Sequence, residues 1–193
     1  GDTTRGPLSI SVTAHGLIEP DSALRRAGAQ VGDAIWVSGT LGDAAGALRQ
    51  WQQGGVMPPT LRDRLDRPTP RVALGRALRG VASSCIDISD GLLADLSHIC
   101  RASGVAAQLD AQALPSSEAL RQAFDTATRL ALQASGGDDY ELCFTAPAAQ
   151  RAVLHALSQT LNLPLAKIGE IVAGADVRCE GASVTAGGYQ HFA

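Results

Sequence analysis

The sequence predicts an α+β or mixed-sheet α/β domain, a layered mixed sheet packed with helices. Segments of apolar–polar alternation are interleaved with segments whose apolar residues recur every three or four positions. Some strand candidates are adjacent in sequence, as a mixed sheet allows. The composition agrees: 45% of the 193 residues are apolar and 18% charged, the balance of an ordinary globular chain long enough to bury a full core.

In "PLSISVTAHGLI", Leu8, Ile10 and Val12 alternate with Ser9, Ser11 and Thr13, the period of a half-buried strand. "AIWVSG" at 34–39 is a second strand, ended by Gly39. From Leu41, the spacing of Ala44, Ala45, Leu48 and Trp51 is helical, and Gly54-Gly55 stops it. "MPPTLRDRLDRPTPR" is rich in proline and charge and predicts a surface connection around one helical turn near Leu61 to Leu65. "RVALGRALRG" is a helix ending at Gly80, and "SSCIDIS" a strand. Leu92, Leu93, Leu96, Ile99 and Cys100 make an amphipathic helix that stops near Gly104. "VAAQLD" is a strand. "SSEALRQAF" begins with serine caps for a short helix, and a second helix runs through "ATRLALQA". "YELCFTA" alternates as a strand, and Val153, Leu154, Leu157 and Leu161 mark the last helix. "LAKIGEIV" and "DVRCE" are strands before a glycine-rich tail, "AGGYQHF".

Several function classes are disfavoured. The formal charge is −3, and the 16 basic residues, all arginine except Lys167, are scattered, so no nucleic-acid footprint is visible. No apolar stretch approaches a membrane span. Cys85, Cys100, Cys143 and Cys179 are far apart without a CxxC pair and read as small buried hydrophobes in a reducing compartment. The opening "GDTTRGP" is not leader-like, and cytoplasm is the expected location. The same opening, without an initiator methionine, looks like the inside of a longer chain. GxxxxGK[ST], HExxH and GxSxG are all absent, and His15, His98, His155 and His191 have no metal-ligand spacing.

Three polar clusters remain. In "CIDISDGL" at 85–92, a strand puts Cys85, Asp87 and Ser89 on one face and Ile86 and Ile88 on the other, with Asp90 at the start of the following helix. Ser89 or Asp90 could each be a simple helix cap. Asp87 is not explained that way: a carboxylate within a strand calls for a metal, an arginine or several donors. This pair suits Mg²⁺, which takes one or two carboxylates together with substrate phosphates. In "SGGDDYELCF", Gly136-Gly137 permit close backbone approach ahead of Asp138 and Asp139, although an acidic turn is the commoner meaning of such a string. "GDTTRG", the third, is by itself a polar turn.

Together, "GDTTRGPLSISVTAHG", "RRAGAQVGD", "CIDISDGLLADLSHI", "SGGDDYELCFT" and the terminal "GGYQHF" resemble the thiamine-monophosphate kinases end to end. These kinases belong to a superfamily of ATP-dependent enzymes that includes aminoimidazole ribonucleotide synthetase and selenophosphate synthetase. The resemblance implies transfer of the γ-phosphate of ATP to thiamine monophosphate, giving thiamine diphosphate and ADP, with several Mg²⁺ ions. It implies that Asp2, Asp87 and Asp90 are metal ligands, Asp87 and Asp90 being catalytic in that capacity. Gly1, Asp2, Arg26 and Ser89 are implied to contact the nucleotide. Asp138, where relatives often carry glutamate, and the aromatic Tyr189 are implied to contact the thiamine substrate.

The resemblance further implies that residues 1–20 are the end of an N-terminal domain motif and a linking strand, and that 21–193 are the C-terminal ATP- and substrate-binding domain. The family's N-terminal domain, expected before this chain begins, would contribute further metal-binding aspartates, part of the pocket and a homodimer interface. Two other functions are weighed against this one: another acceptor within the superfamily, as in aminoimidazole ribonucleotide synthetase, and a non-catalytic nucleotide-binding module. "SGGDDYEL" and the aromatic tail count against the first. Retention of Asp2, Asp87 and Asp90 counts against the second, since carboxylates without a task are costly in a core-facing strand.

Overall fold

The structure, a computed structural model, describes residues 10–181. After a run without helix or strand to residue 33, strand β1 (Ala34–Ser38) leads into helices α1 (Asp43–Gln52), α2 (Pro59–Asp66) and α3 (Val72–Ala77). Strand β2 (Ser84–Ile88), helix α4 (Leu92–Ser103) and strand β3 (Ala106–Asp110) follow, then helices α5 (Glu118–Ala123) and α6 (Thr126–Ser135). Strand β4 (Glu141–Ala146), helix α7 (Arg151–Thr160) and strands β5 (Leu165–Val172) and β6 (Val177–Glu180) complete the described fold. The six strands form one mixed sheet in the order β2-β4-β1-β5-β3-β6. Its pairs are antiparallel except β3 with β6. The predicted class is thus the observed one.

Local chemistry explains the element ends. Ser117 and Asp125 cap α5 and α6, their side chains accepting from the backbone N–H groups of Leu120 and Thr128. Pro59 opens α2 at the position where a missing N–H costs nothing. Gly104, with φ 68°, turns the chain out of α4.

Both faces of the sheet are packed. On one, Ile35, Val37, Ile86, Ile88 and Ile168 meet Leu92, Leu96 and Ile99 of α4 and Leu130 of α6. On the other, Trp36, Cys85 and Phe144 meet Leu74 of α3, Leu78 at its C-terminal cap and Leu154 of α7. Each such Leu or Ile contributes roughly 1.5–3 kcal/mol of transfer free energy. A third cluster, Ala47, Leu61 and Leu120, joins α1, α2 and α5 beside the sheet. Cys85, Cys100 and Cys143 are buried, Cys179 is half-buried, and all four are free thiols. Burial pushes the Cys85 thiol up to about 12, far from thiolate chemistry at neutral pH. Among the described residues, no helix is long and apolar enough to cross a membrane.

Three expectations are corrected. The described part of the alternating segment, from Ile10 onward, is not a strand, and Ile10 and Val12 are 79% and 89% exposed. Alternation forms a strand only with a neighbour to bond, and no described strand pairs with this one. Trp51, placed on the apolar stripe of α1, is 64% exposed and lies in the last turn of that helix. The proline- and charge-rich connection holds the expected helical turn, as α2, but does not stay on the surface: Leu61 is packed fully inside, and Arg64 of α2 and Arg71 at the start of α3 enter a buried ion cluster.

Candidate active site

β2 and β4 are neighbours, so the end of one lies beside the start of the other, with Ile88 opposite Glu141. The pairing continues past the strands: Tyr140 N–H donates to the Ile88 carbonyl (2.8 Å) and Asp138 N–H to the Ser89 carbonyl (2.9 Å). "DISDG" and "SGGDDY", about fifty residues apart in sequence, are thereby joined backbone to backbone. A Cβ on Gly137 would lie 2.6 Å from the Ser89 carbonyl oxygen, so a side chain there would force the two segments apart. Gly91 has φ 117°, and a Cβ on it would meet the Ser135 carbonyl at 2.8 Å.

At this seam is a cavity of about 540 Å³. Ala45 and Leu48 of α1 form an apolar side; Ser89, Asp90, Gly137, Asp138 and Tyr140 form the rest. The Tyr140 hydroxyl donates to Asp138 Oδ1 (3.2 Å). Both residues have left-handed backbone, φ 66° at Asp138 and 48° at Tyr140. The second is an outlier for a bulky side chain, and such conformations gather at functional sites. Burial raises the Tyr140 phenol above its ordinary value, and the charges of Asp138, Asp87 and Asp90 raise it further. Another hollow, of about 530 Å³, lies over β3, β5 and β6 and is lined by Gln108, Asp110, Lys167, Glu170 and Glu180. It includes no sequence-predicted site residue.

The structure brings Ser89, Asp90 and Asp138 to one cavity. Asp87 is near it without lining it: its charge reaches Tyr140, but the residue is exposed on the sheet face where Cys85, two positions earlier, is buried. The expected cost of a buried carboxylate therefore does not arise at Asp87. Arg26 is also exposed and outside the cavity. It belongs to the segment along the outer edge of β2, where the Arg25 carbonyl accepts from Cys85 N–H (2.8 Å) and the Ser103 hydroxyl reaches the Arg26 carbonyl. Gly1, Asp2 and Tyr189 lie outside the described residues.

Several supporting residues escaped the sequence reading. Asp95, in the first turn of α4, is buried and accepts from the backbone N–H groups of Ser89 (3.0 Å) and Asp90 (3.1 Å), fixing the turn that presents both. Burial raises its pKa, against the lowering effect of those two bonds. Asp139, between the two left-handed residues, is buried with both carboxylate oxygens on Gly42 N–H (3.0 and 2.9 Å), the start of α1. Burial pushes it well above the usual carboxylate range, with Asp43 and Glu141 adding to the shift and Gly42 N–H and Arg64 opposing it. Glu141 is fully buried and gathers Arg64 (2.7 Å), Arg71 and the Ser38 hydroxyl. The three acids of the "GGDDYE" string could be paired by sign alone with the arginines of 62–71, but only the fold selects which.

All the donors near the cavity mouth are oxygens, the ligand type of a hard divalent cation. Among the described residues, no group of three or more His, Cys, Asp or Glu side chains is arranged to hold a metal ion. The carboxylates of Asp87 and Asp90 are oxygen donors of the kind a hard divalent cation takes alongside phosphate and water.

Residues 30–181 match the family described as AIR synthase related protein, C-terminal domain. The chain is similar to the thiamine-monophosphate kinase of Salmonella typhimurium, 45% identical over 203 aligned positions that cover all of this chain and 62% of the relative. The fold is similar to the crystal structure of thiamine-monophosphate kinase from Stenotrophomonas maltophilia K279a, with TM-score 0.83 and 52% identity, covering 86% of this chain and 56% of that one. It is also similar to AaThiL complexed with AMPPCP and TMP, with TM-score 0.76 and 31% identity, covering 88% of this chain and 54% of that one.

Proposed function

The chain belongs to the AIR synthase related family through that family's C-terminal domain, and from this premise we propose that it carries part of the active site of a thiamine-phosphate kinase. The reaction transfers the γ-phosphoryl group of ATP to the phosphate of thiamine monophosphate. The observation that carries the proposal is the convergence of Ser89, Asp90 and Asp138 on one cavity at the seam of two joined motifs. Its support from outside is the similarity to a protein complexed with AMPPCP and TMP.

The roles follow from the chemistry. An acceptor phosphate oxygen attacks the γ-phosphorus in line, the bond to the β,γ-bridging oxygen breaks, and ADP leaves. Such a reaction needs alignment and charge neutralisation more than covalent help. Asp87 and Asp90, with Asp2, would hold Mg²⁺, which when bound supplies positive charge against the polyphosphate. Ser89 donates its hydroxyl to the nucleotide, in a turn held by Asp95, and Gly1 would contact the same ligand. Arg26 contacts nucleotide phosphate through a bidentate guanidinium. Asp138 and Tyr189 bind the thiamine moiety. The complete protein acts as a cytoplasmic homodimer, consistent with its free, unreactive thiols, and its ligands are these small molecules rather than nucleic acid or membrane.

An acceptor panel on the complete protein with ATP and Mg²⁺, followed by ADP release, tests the proposal. Thiamine monophosphate should be the acceptor, and Asp87→Asn or Asp90→Asn should abolish turnover with the fold intact. Near-normal rates in folded Asn variants would remove the metal role. A different preferred acceptor would remove the substrate.

A further inference from the structure

Resting on the kinase proposal, the structure points to Tyr140 as an acceptor-binding residue: we propose that its ring, clasped to Asp138, forms the face on which the cationic thiazolium of thiamine monophosphate lies. Four observations lead there. Tyr140 is 43% exposed although it immediately precedes a fully buried Glu141, so its ring is directed away from the core. It lines the cavity together with Ala45 and Leu48, which complete an apolar slot for a flat group. Its hydroxyl is bonded to Asp138 Oδ1, which fixes the ring and sets a carboxylate at its edge. Its backbone is held at φ 48°, a conformation tyrosine does not adopt without compulsion.

The compulsion comes from the residue between. Asp139 is buried and bound to Gly42 N–H, which locks the middle of the loop inward. Tyr140 N–H and Asp138 N–H are meanwhile tied to Ile88 and Ser89. With the centre drawn in and both flanks bonded to the neighbouring strand, the left-handed residues on either side present their side chains to the cavity. Strain maintained by so many contacts is a means of aiming a side chain. An aromatic face with carboxylates at its margin attracts a flat cation through the ring quadrupole and the formal charges together. The acceptor carries such a cation, and ATP does not.

The test uses the complete protein. Tyr140→Asn removes the ring but keeps a residue type that tolerates left-handed backbone. It should raise the KM for thiamine monophosphate about tenfold and leave the KM for ATP within about twofold. Tyr140→Phe, which keeps the ring and loses its tether to Asp138, should give an intermediate rise. Calorimetric binding of thiamine monophosphate, and of an analogue whose thiazolium is replaced by a neutral ring, adds a readout that a structural role does not move. The wild type should prefer the charged ligand, and Tyr140→Asn should lose most of that preference. An unchanged acceptor KM in a folded Tyr140→Asn protein overturns the assignment, as does a parallel rise in both KM values with the preference retained. If the wild type binds thiamine monophosphate without phosphorylating it, the kinase proposal fails while the binding ratio still decides Tyr140.

Discussion

Asp138 and Asp139 are adjacent and chemically identical, yet one lines a cavity and the other is sealed beneath it with a single backbone N–H for both of its oxygens. The difference has a consequence in pH. Because burial raises the Asp139 pKa in the folded state, the native protein binds this proton more tightly than the unfolded chain does. Stability contributed by the protonated form is fully present below the unfolded value of 3.8 and is lost as pH rises through the folded pKa. Asp139→Asn keeps an acceptor for Gly42 N–H and has no proton to lose. Thermal melts from pH 4 to pH 7 should therefore show the variant gaining on the wild type as pH rises. A constant difference across that range would mean that Asp139 is ionised in the fold throughout. Neither fate was legible in "GGDDYE". Alternation gave the strand that follows, but the choice of buried carboxylate depends on which residues take left-handed backbone, and tyrosine gives no warning of that.

At the scale of elements, helices and strands were largely legible, because periods of two and of three to four are written locally. Long-range pairing is not. Arg64 and Arg71 read as surface charges among prolines, and their partner Glu141 lies 77 and 70 positions away. The same blindness made a strand of the segment around Ile10, whose alternation has no described partner. The Glu141 cluster fastens α2 and the start of α3 to β4. Glu141→Gln takes the counter-charge from poorly exposed Arg71 and leaves Arg64 only its longer contact with Asp43 (3.9 Å), a loss on the order of 3–5 kcal/mol. Urea denaturation should show a large fall in midpoint. Arg121→Ala, which breaks an exposed pair with Glu118 on α5, should leave the midpoint unchanged within error. Comparable small shifts in both would mean that the buried cluster is no stronger than a surface pair. Of the candidate site, Ser89, Asp90 and Asp138 were legible because their motifs are compact; Asp95 and Tyr140, which hold and extend it, act through geometry that spacing does not encode.

For the molecule as a whole, the chain spans 62% of the length of the Salmonella relative and 56% of the Stenotrophomonas structure it resembles. The cavity's polar side is formed by few residues, and misalignment of reacting groups by about 1 Å can cost on the order of a hundredfold in rate. We therefore expect residues 1–193, assayed alone with ATP, Mg²⁺ and thiamine monophosphate, to be at least about a hundredfold slower than the complete protein. Steady product formation at a comparable rate, proportional to concentration and lost in Asp87→Asn, would show these residues to be sufficient. That control must itself be handled with care, because of where β2 lies. Among the described strands it is the outermost on its side of the sheet, and an outer strand offers unpaired backbone to any passing chain. The Arg25 carbonyl occupies one of those positions by taking Cys85 N–H. The exposed charge of Asp87 is well placed to repel strand addition farther along. Neutralising it should make solutions of Asp87→Asn scatter more light with increasing concentration than those of Asp90→Asn, since an exposed carboxylate at this position keeps the rim of the sheet from recruiting its neighbours.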